Sequence, residues 1–576
     1  MPTLNWIGKD KVVNHHLDVP FRVLEEQYTF GDNADGNMII HGDNLDALKA
    51  LLPRFEGRVK CIYIDPPYNT GNEGWVYNDN VNDPKIRKWL GEVVGREGED
   101  LSRHDKWLCM MYPRLKLLQK LLAEDGVIFI SIDDTEYANL KTICDEIFGS
   151  NCFVSNISWQ RTYSTRNDSK GIVNEVEHIL VYSKTPEWQP EKLPRTAEMD
   201  AKYKNPDNDI SAWRTDNAFA PGAATHQGMV YAIQHPFTGQ MLYPANGSCW
   251  RYQQDQMFDI MTGWCEYELR DLHDEEQRAI VCGVPIEEIR KEVKGIVLKD
   301  SIEVSSAKAK VVLKRGPWPR FFFTKNGKGG IARKTYLDSV GGKLPTNFWP
   351  HIDTGHTDEA KKEMLAIFDG RTTFDTPKPS RLIEYVLRIV GDKNAIILDS
   401  FAGSGTTAHA VLNMNKQDGG HRRFILVETE DYAESITAER VRRVITGYGE
   451  GKKAVEGTGG GFSFYELGAP LMIDGNLNPD VPEARIREYV YYTETKLPMP
   501  PASEAEPHLL GVHNRAAYYF YYLSDAVTTL NEAFLRTIRT DADSYMIYAD
   551  INALDEETMK KHHITFKKIP RDITLL

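Results

Sequence analysis

The sequence predicts an α/β fold built on a mainly parallel sheet covered by helices and interrupted by an inserted domain. Three observations carry this expectation. Short apolar runs of buried-strand type alternate with helical stripes over the first 190 residues, the same alternation returns near residue 370, and a turn-rich stretch separates the two.

In the first part, Asn37-Met38-Ile39-Ile40 and Val59 to Ile64 read as buried strands, with Leu45 to Leu52 as the helix between them. Pro113 opens a second helix whose Leu115, Leu118, Leu121 and Leu122 recur at helical spacing, and Gly126 stops it. Val127 to Ile130 is the next strand. A helix carrying Leu140, Ile143 and Ile147 then ends near Gly149, and His178 to Tyr182 supplies another strand.

From 191 to 345, repeated Pro, Gly and Asn among aromatics, as in Pro236-Phe237-Thr238-Gly239, predict turns and short strands rather than long helices. The α/β pattern resumes with the stripe Leu382, Ile383, Val386, Leu387 and Val390. It continues through the strand Ala395 to Leu398, a glycine-rich turn, a helix through Ala408, Val411 and Leu412, and the strand Phe424 to Val427.

Gly457 to Gly461 reads as a linker to a small separate α/β module. There the aromatic-rich stretch Arg515 to Ile538 is a helix candidate, and strands at Ser544–Ala549 and Ile564–Ile569 flank a helix from Asp555 to His562. The expected domains are therefore 1–190, 191–345, 346–455 and 456–576.

A chain of 576 residues exceeds one ordinary core, and 41% hydrophobic with 26% charged residues is globular usage. The segment Met1-Pro2-Thr3-Leu4-Asn5 lacks a basic stretch leading into an apolar core, and nowhere do about 18 apolar residues run together. Neither export nor a membrane anchor is expected. The seven cysteines form no CxxC pair, which argues against a disulfide framework or a structural metal site and for a reducing cytoplasm.

A formal charge of −14 opposes phosphate binding by the chain as a whole. Between Lys308 and Lys334, however, lie nine Lys/Arg and no Asp/Glu, interleaved with Trp318, Phe321, Phe322 and Phe323. That segment is the leading nucleic-acid contact candidate, beside its plainer reading as a strand pair with a solvated face.

Two motifs carry chemistry. Asp399-Ser400-Phe401-Ala402-Gly403-Ser404-Gly405-Thr406-Thr407 joins a strand to a helix, where glycines let backbone approach a ligand. Gly403-x-Gly405-x-x-Ala408 with Glu428 beyond it also fits a relaxed dinucleotide pattern, so a nicotinamide oxidoreductase is a rival reading. Asp399 opposes it, because a carboxylate there would face a pyrophosphate, whereas a ligand ammonium would welcome it.

The second motif, Asp65-Pro66-Pro67-Tyr68, follows a buried-type strand and so falls at the carboxyl edge of the sheet. Its prolines stiffen a loop that presents carbonyl oxygens without competing amide donors.

Asp-Pro-Pro-Tyr in one half and Phe-x-Gly-x-Gly in the other resemble the paired signatures of amino-group DNA methyltransferases. The order, with the catalytic motif first and the cofactor motif last, resembles the permuted beta group. Asp65 to Gly71 and Phe374-Asp375-Thr376-Pro377-Lys378-Pro379 further resemble modification subunits of type III restriction-modification systems. The resemblance covers roughly residues 35 to 190 and 370 to 450.

It implies a Rossmann-like S-adenosylmethionine-dependent methyltransferase fold, permuted, with a target-recognition insertion and a small C-terminal module that offers a dimer or partner surface. Asp65 and the Pro66 carbonyl would accept hydrogen bonds from the target amine, within the catalytic set Asp65, Pro66, Pro67 and Tyr68. Tyr68 would stack on a flipped-out base. For the cofactor, Asp399 and the turn of Phe401, Ala402, Gly403, Gly405 and Thr406 would hold the methionine end. Glu428 would take the ribose hydroxyls and Asp43 the adenine amine, while Lys378 lies in a segment that lines the cofactor pocket.

No metal is implied. The implied partners are double-stranded DNA, a second copy of the chain and a restriction or other defence subunit. Asp65 favours N6-adenine in the family pattern. N4-cytosine and a non-catalytic DNA-recognition subunit remain open readings, and Trp159 and His178 read as core residues near the pocket.

Overall fold

The structure, a computed structural model, describes residues 3–571 apart from 33, 35, 71–87, 89–90, 93–102 and 164–171. Gly71 of the extended motif lies outside the described residues. The chain divides into two compact units, Met1–Glu191 with Pro345–Leu576, and Lys192–Leu344.

In the larger unit one sheet contains ten strands. They are Arg22–Gly31 (β1), Met38–His41 (β2), Val59–Ile64 (β3), Leu122–Ile132 (β4) and Phe153–Gln160 (β5), then Val176–Ser183 (β6), Phe348–Trp349 (β7), Ile396–Asp399 (β8), Arg423–Glu428 (β9) and Gly461–Pro470 (β10). Their spatial order is β1-β10-β2-β9-β8-β3-β4-β6-β5-β7. β1 is antiparallel to β10, and β6 to both β4 and β5; the other pairings are parallel.

Helices Asn44–Phe55 (α1), Arg103–Leu121 (α2), Tyr137–Phe148 (α3), Thr357–Ile367 (α4), Ser380–Val390 (α5), Thr406–Asp418 (α6) and Glu439–Thr446 (α7) accompany the sheet. Leu45, Leu48 and Leu51 of α1 and Leu115 and Leu118 of α2 pack with Ile62, Ile128, Leu398 and Val427 in one buried core.

This register decides where the chemistry sits. Leu398 pairs with Ile62, Asp399 with Leu426, and Glu428 with His41, so β3, β8, β9 and β2 all end at one edge. Ligands of such sheets bind outside the carboxyl ends of the strands. Because β6 is reversed, with Ile132 opposite His178, its first residues return to that edge.

Several sequence expectations change. Pro113 lies inside α2 rather than at its start, a position at which it forgoes one helical hydrogen bond. The stretch after Gly457 is no linker to a separate module, because β10 inserts between β1 and β2, and Leu471, Leu477, Ile486 and Phe520 share a core with Val23 of β1.

Arg515 to Ile538 is no helix either. Leu509–His513 and Ala516–Phe520 form a hairpin whose two loop residues, Asn514 and Arg515, both have positive φ (49° and 63°), and only Glu532–Leu535 turns helically. A run of aromatics packs well on a pleated surface, and this outweighs its helical spacing.

The smaller unit packs Trp213, Trp250, Trp264 and Phe321 to Phe323 in its own core, among short sheets. Against expectation it also holds a 14-residue helix, Ile302–Arg315, capped by the Ser301 side chain. The basic segment spans that helix and the hairpin of Phe321–Phe323 with Ile331–Tyr336.

Three of its cations are already neutralised. Lys308 pairs with Glu266 and Asp300, Arg333 with Asp216, and the fully buried Lys334 with Asp207 and Asp209. Lys310, Lys314, Arg315, Lys325 and Lys328 are exposed.

Candidate active site

Asp65 to Tyr68 leave β3 as a pinned loop. The Pro67 carbonyl accepts the Trp107 indole N–H at 2.7 Å, and Pro66 and Pro67 are buried. Tyr68 donates its hydroxyl to Asp65 Oδ1 at 2.8 Å and lies 3.3 Å from Glu177 Oε2. Burial and the neighbouring carboxylates hold the Tyr68 phenol well above its usual range, so it stays a neutral donor.

The other oxygen, Asp65 Oδ2, accepts from Lys378 Nζ at 2.5 Å, and the same ammonium is 2.9 Å from the Tyr68 hydroxyl.

The glycine turn follows β8. Asp399 accepts the Phe401 amide at 3.0 Å and the Thr407 hydroxyl at 2.6 Å. Glu428 accepts the Gly403 amide at 2.7 Å and the Glu430 amide at 3.0 Å. Gly405 has φ 80°, and a Cβ there would meet the Thr437 carbonyl oxygen at 3.1 Å, so the turn needs glycine both for its conformation and for space.

Both acids are 3% exposed. Burial pushes the Asp399 carboxyl up to about 7, with the Thr407 and Phe401 hydrogen bonds opposing it, and burial pushes Glu428 up to about 7.

The structure brings Asp65, Lys378, Asp399, Phe401, Ala402, Gly403 and Thr406 around one cleft, with Phe374 and Thr407. Pro66, Pro67, Tyr68, Gly405, Glu428 and Asp43 stand outside its lining. Asp43 caps α1, accepting the Leu45 and Asp46 amides at 2.8 and 3.2 Å, and faces Arg114 at 3.5 Å. The cleft is open to solvent and offers about 30 Å³ of free space, room for one or two waters.

The residues fit S-adenosylmethionine. A buried carboxyl held up near neutrality gains most from a ligand ammonium, and Ser400 Oγ, buried next to Asp399, has no hydrogen-bond partner among the described residues. Asp399, Glu428 and Asp43 also stand in strand order β8, β9, β2, the order in which an extended cofactor would meet them.

Several site residues escaped the sequence reading. Glu177, 7% exposed at the start of β6, accepts from Arg161 at 2.7 Å and lies 3.8 Å from Lys378 Nζ. Its signal was an acid leading into an apolar strand. The fully buried Arg440 of α7 donates to the Ser404 and Thr406 hydroxyls at 2.9 and 2.8 Å and to Glu363 of α4 at 2.9 Å. Trp159 is buried and donates to the Gly355 carbonyl, and His178 pairs with Asp134.

The smaller unit has an open hollow of about 390 Å³ whose lining includes His226, Trp250, Arg251, Tyr252 and Arg333 and no carboxylate. Arg320 lies over the Tyr252 ring, 5.6 Å from its centroid.

The sequence signature of the DNA methylase family that covers N6 and N4 enzymes spans residues 59–439. The chain is 32% identical over 443 residues to the Mod subunit of the type III restriction-modification enzyme StyLTI of Salmonella typhimurium, covering 73% of this chain and 57% of that protein. It is 29% identical to the EcoP15I Mod subunit of Escherichia coli, over 74% of this chain and 64% of that one. With the type II methyltransferase M.KpnI of Klebsiella pneumoniae the identity is 30%, over 69% and 81%. The chain thus spans 57% to 64% of the length of these two Mod subunits.

Proposed function

The chain belongs to the DNA methylase family, and on that premise we propose that it transfers the methyl group of S-adenosylmethionine to the exocyclic N6 amine of adenine in double-stranded DNA. The observation that carries this reading is the adjacency of β3 and β8, which sets Asp65 and Asp399 around one cleft. An amine acceptor and a cofactor-ammonium acceptor are thereby held on neighbouring strands.

The bound cofactor supplies an electrophilic methyl group. Asp399 pairs with its ammonium, the backbone of Phe401 to Gly405 follows the methionine end, Glu428 takes the ribose hydroxyls and Asp43 the adenine end. Asp65 and the Pro66 carbonyl accept hydrogen bonds from the target amine, which aims its lone pair at the methyl group. Tyr68 stacks on the flipped base, which must leave the duplex to be reached. Positioning and charge placement supply the rate enhancement.

DNA contact by the smaller unit is supported by its hollow, where Arg251 and His226 gather around Trp250 and Tyr252. The likeness to Mod subunits supports a role as the modification component of a restriction-modification system; action as a homodimer and alongside a restriction subunit is part of the same proposal.

The test is transfer of labelled methyl to mixed-sequence bacterial DNA by the wild type and Asp65→Ala, with the product base identified by mass spectrometry. N6-methyladenine that disappears in the variant is expected. N4-methylcytosine would overturn the adenine assignment, and failure of the wild type to bind the cofactor would overturn the reading as a whole.

A further inference from the structure

Both oxygens of Asp65 are already in use: Oδ1 accepts from Tyr68 and Oδ2 from Lys378. The Lys378 ammonium also sits at the hydroxyl end of Tyr68, 2.9 Å from its oxygen and 5.1 Å from the ring centroid. It therefore engages the carboxylate that would accept the amine of a target base, and the hydroxyl of the tyrosine on which that base would stack. Oδ2 keeps a second lone pair, but an amine that takes it must share the oxygen with a cation 2.5 Å away. A displaced ammonium in so buried a place needs another carboxylate, since an unpaired buried charge is costly.

One stands ready. Glu177 Oε2 is 3.8 Å from Lys378 Nζ, while Arg161 engages Oε1.

We propose that Lys378 is a place-holder for the target amine at Asp65, and that Glu177 is the positioning residue to which Lys378 moves when the base enters. This rests on the methyltransferase reading. With Lys378 at Asp65, its positive charge sits where the reacting amine will sit, beside the cofactor sulfonium. The geometry thus carries two consequences. Moving Lys378 to Glu177 lowers the cost of base entry, and its position at Asp65 disfavours the cationic cofactor relative to the neutral demethylated product.

The test uses the full chain, mixed-sequence unmethylated bacterial DNA, and the variants Glu177→Gln, Lys378→Met and the pair together, each checked for an unchanged melting profile. Glu177→Gln should lower kcat/KM for DNA about tenfold, chiefly through KM, because Lys378 loses its second site. Adding Lys378→Met should recover most of that loss, bringing the pair to within about threefold of Lys378→Met alone. A merely structural role for Glu177, holding Arg161 and the start of β6, predicts no such recovery, and losses that multiply would overturn the proposal.

The second readout is calorimetric binding without DNA. Lys378→Met should shift the affinity ratio of S-adenosylmethionine to S-adenosylhomocysteine about three- to tenfold toward the cationic ligand. An unchanged ratio would overturn the placement of the ammonium at the reaction centre. If the wild type transfers no methyl group, the methyltransferase reading itself fails, an outcome distinct from either of these.

Discussion

Arg440 Nη2 donates to Glu363 Oε2 at 2.9 Å from a guanidinium that is wholly buried, while its Nη1 holds the Ser404 and Thr406 hydroxyls of the glycine turn. One ion pair between α7 and α4 therefore underlies the shape of the cofactor loop. Arg440→Met leaves Glu363 facing a buried gap and should cost about 3–5 kcal/mol in denaturant unfolding. Cofactor affinity should fall with it, and combining Arg440→Met with Glu363→Gln should restore part of the stability. Unfolding midpoints and calorimetric titration check both.

Asp399 gives a pH signature. Its folded pKa, about 7, lies above the ordinary 3.8, so the folded chain binds the proton more tightly than the unfolded one. Its contribution is fully present below pH about 4 and is lost as pH rises through about 7. Asp399→Asn should therefore gain stability over the wild type by roughly 2 kcal/mol more at pH 8 than at pH 5. An equal difference at the two pH values would show that Asp399 is ionised throughout.

The same carboxyl should govern cofactor binding. The ammonium pairs with the ionised form, so wild-type affinity should climb by up to about tenfold per pH unit below pH 7 and level off above it. Binding at pH 6 should release a proton, read as a buffer-dependent enthalpy, and Asp399→Asn should reduce that dependence, leaving the share of Glu428, whose carboxyl burial also pushes up to about 7.

Lys334 is the keystone of the smaller unit. With its side chain fully buried against Asp207 and Asp209, Lys334→Met would leave two carboxylates facing each other and should destabilise that unit by about 3–5 kcal/mol. DNA methylation should be lost while cofactor binding persists. Limited proteolysis between 192 and 344 gives the direct reading.

Arg251 tests the DNA surface. If it meets phosphate, Arg251→Ala should reduce the slope of log affinity against log salt by about 1 and weaken all duplexes alike. If it reads a base edge, methylation at one position of the recognition sequence should relax instead, at a cost of about 1–3 kcal/mol. Sequencing the methylated sites of the variant separates the two.

Much of the sheet was legible locally. Cys61 to Ile64 and Phe424 to Val427 are apolar throughout because both faces of a central parallel strand are covered, and that pattern can be read from a single segment. The glycine turn was equally plain, since few residues tolerate the φ of Gly405. Aromatic spacing misled at Tyr518 to Tyr522, where the positive φ of Asn514 and Arg515 closes a hairpin that Asn514 favours but Arg515 does not announce.

By itself, the sequence determined the two motifs, the α/β alternation and the acids Asp65, Asp399 and Glu428, because each follows from a short run with its own backbone or burial requirement. Tertiary structure alone decided three things: the insertion of β10 beside β2, the reversal of β6 that returns Glu177 to the carboxyl edge of β3 and β8, and the meeting of Lys378 with Asp65 across 313 residues. Strand order and ion pairing are set by which distant surfaces pack together, and a lysine in isolation does not reveal the carboxylate it will neutralise.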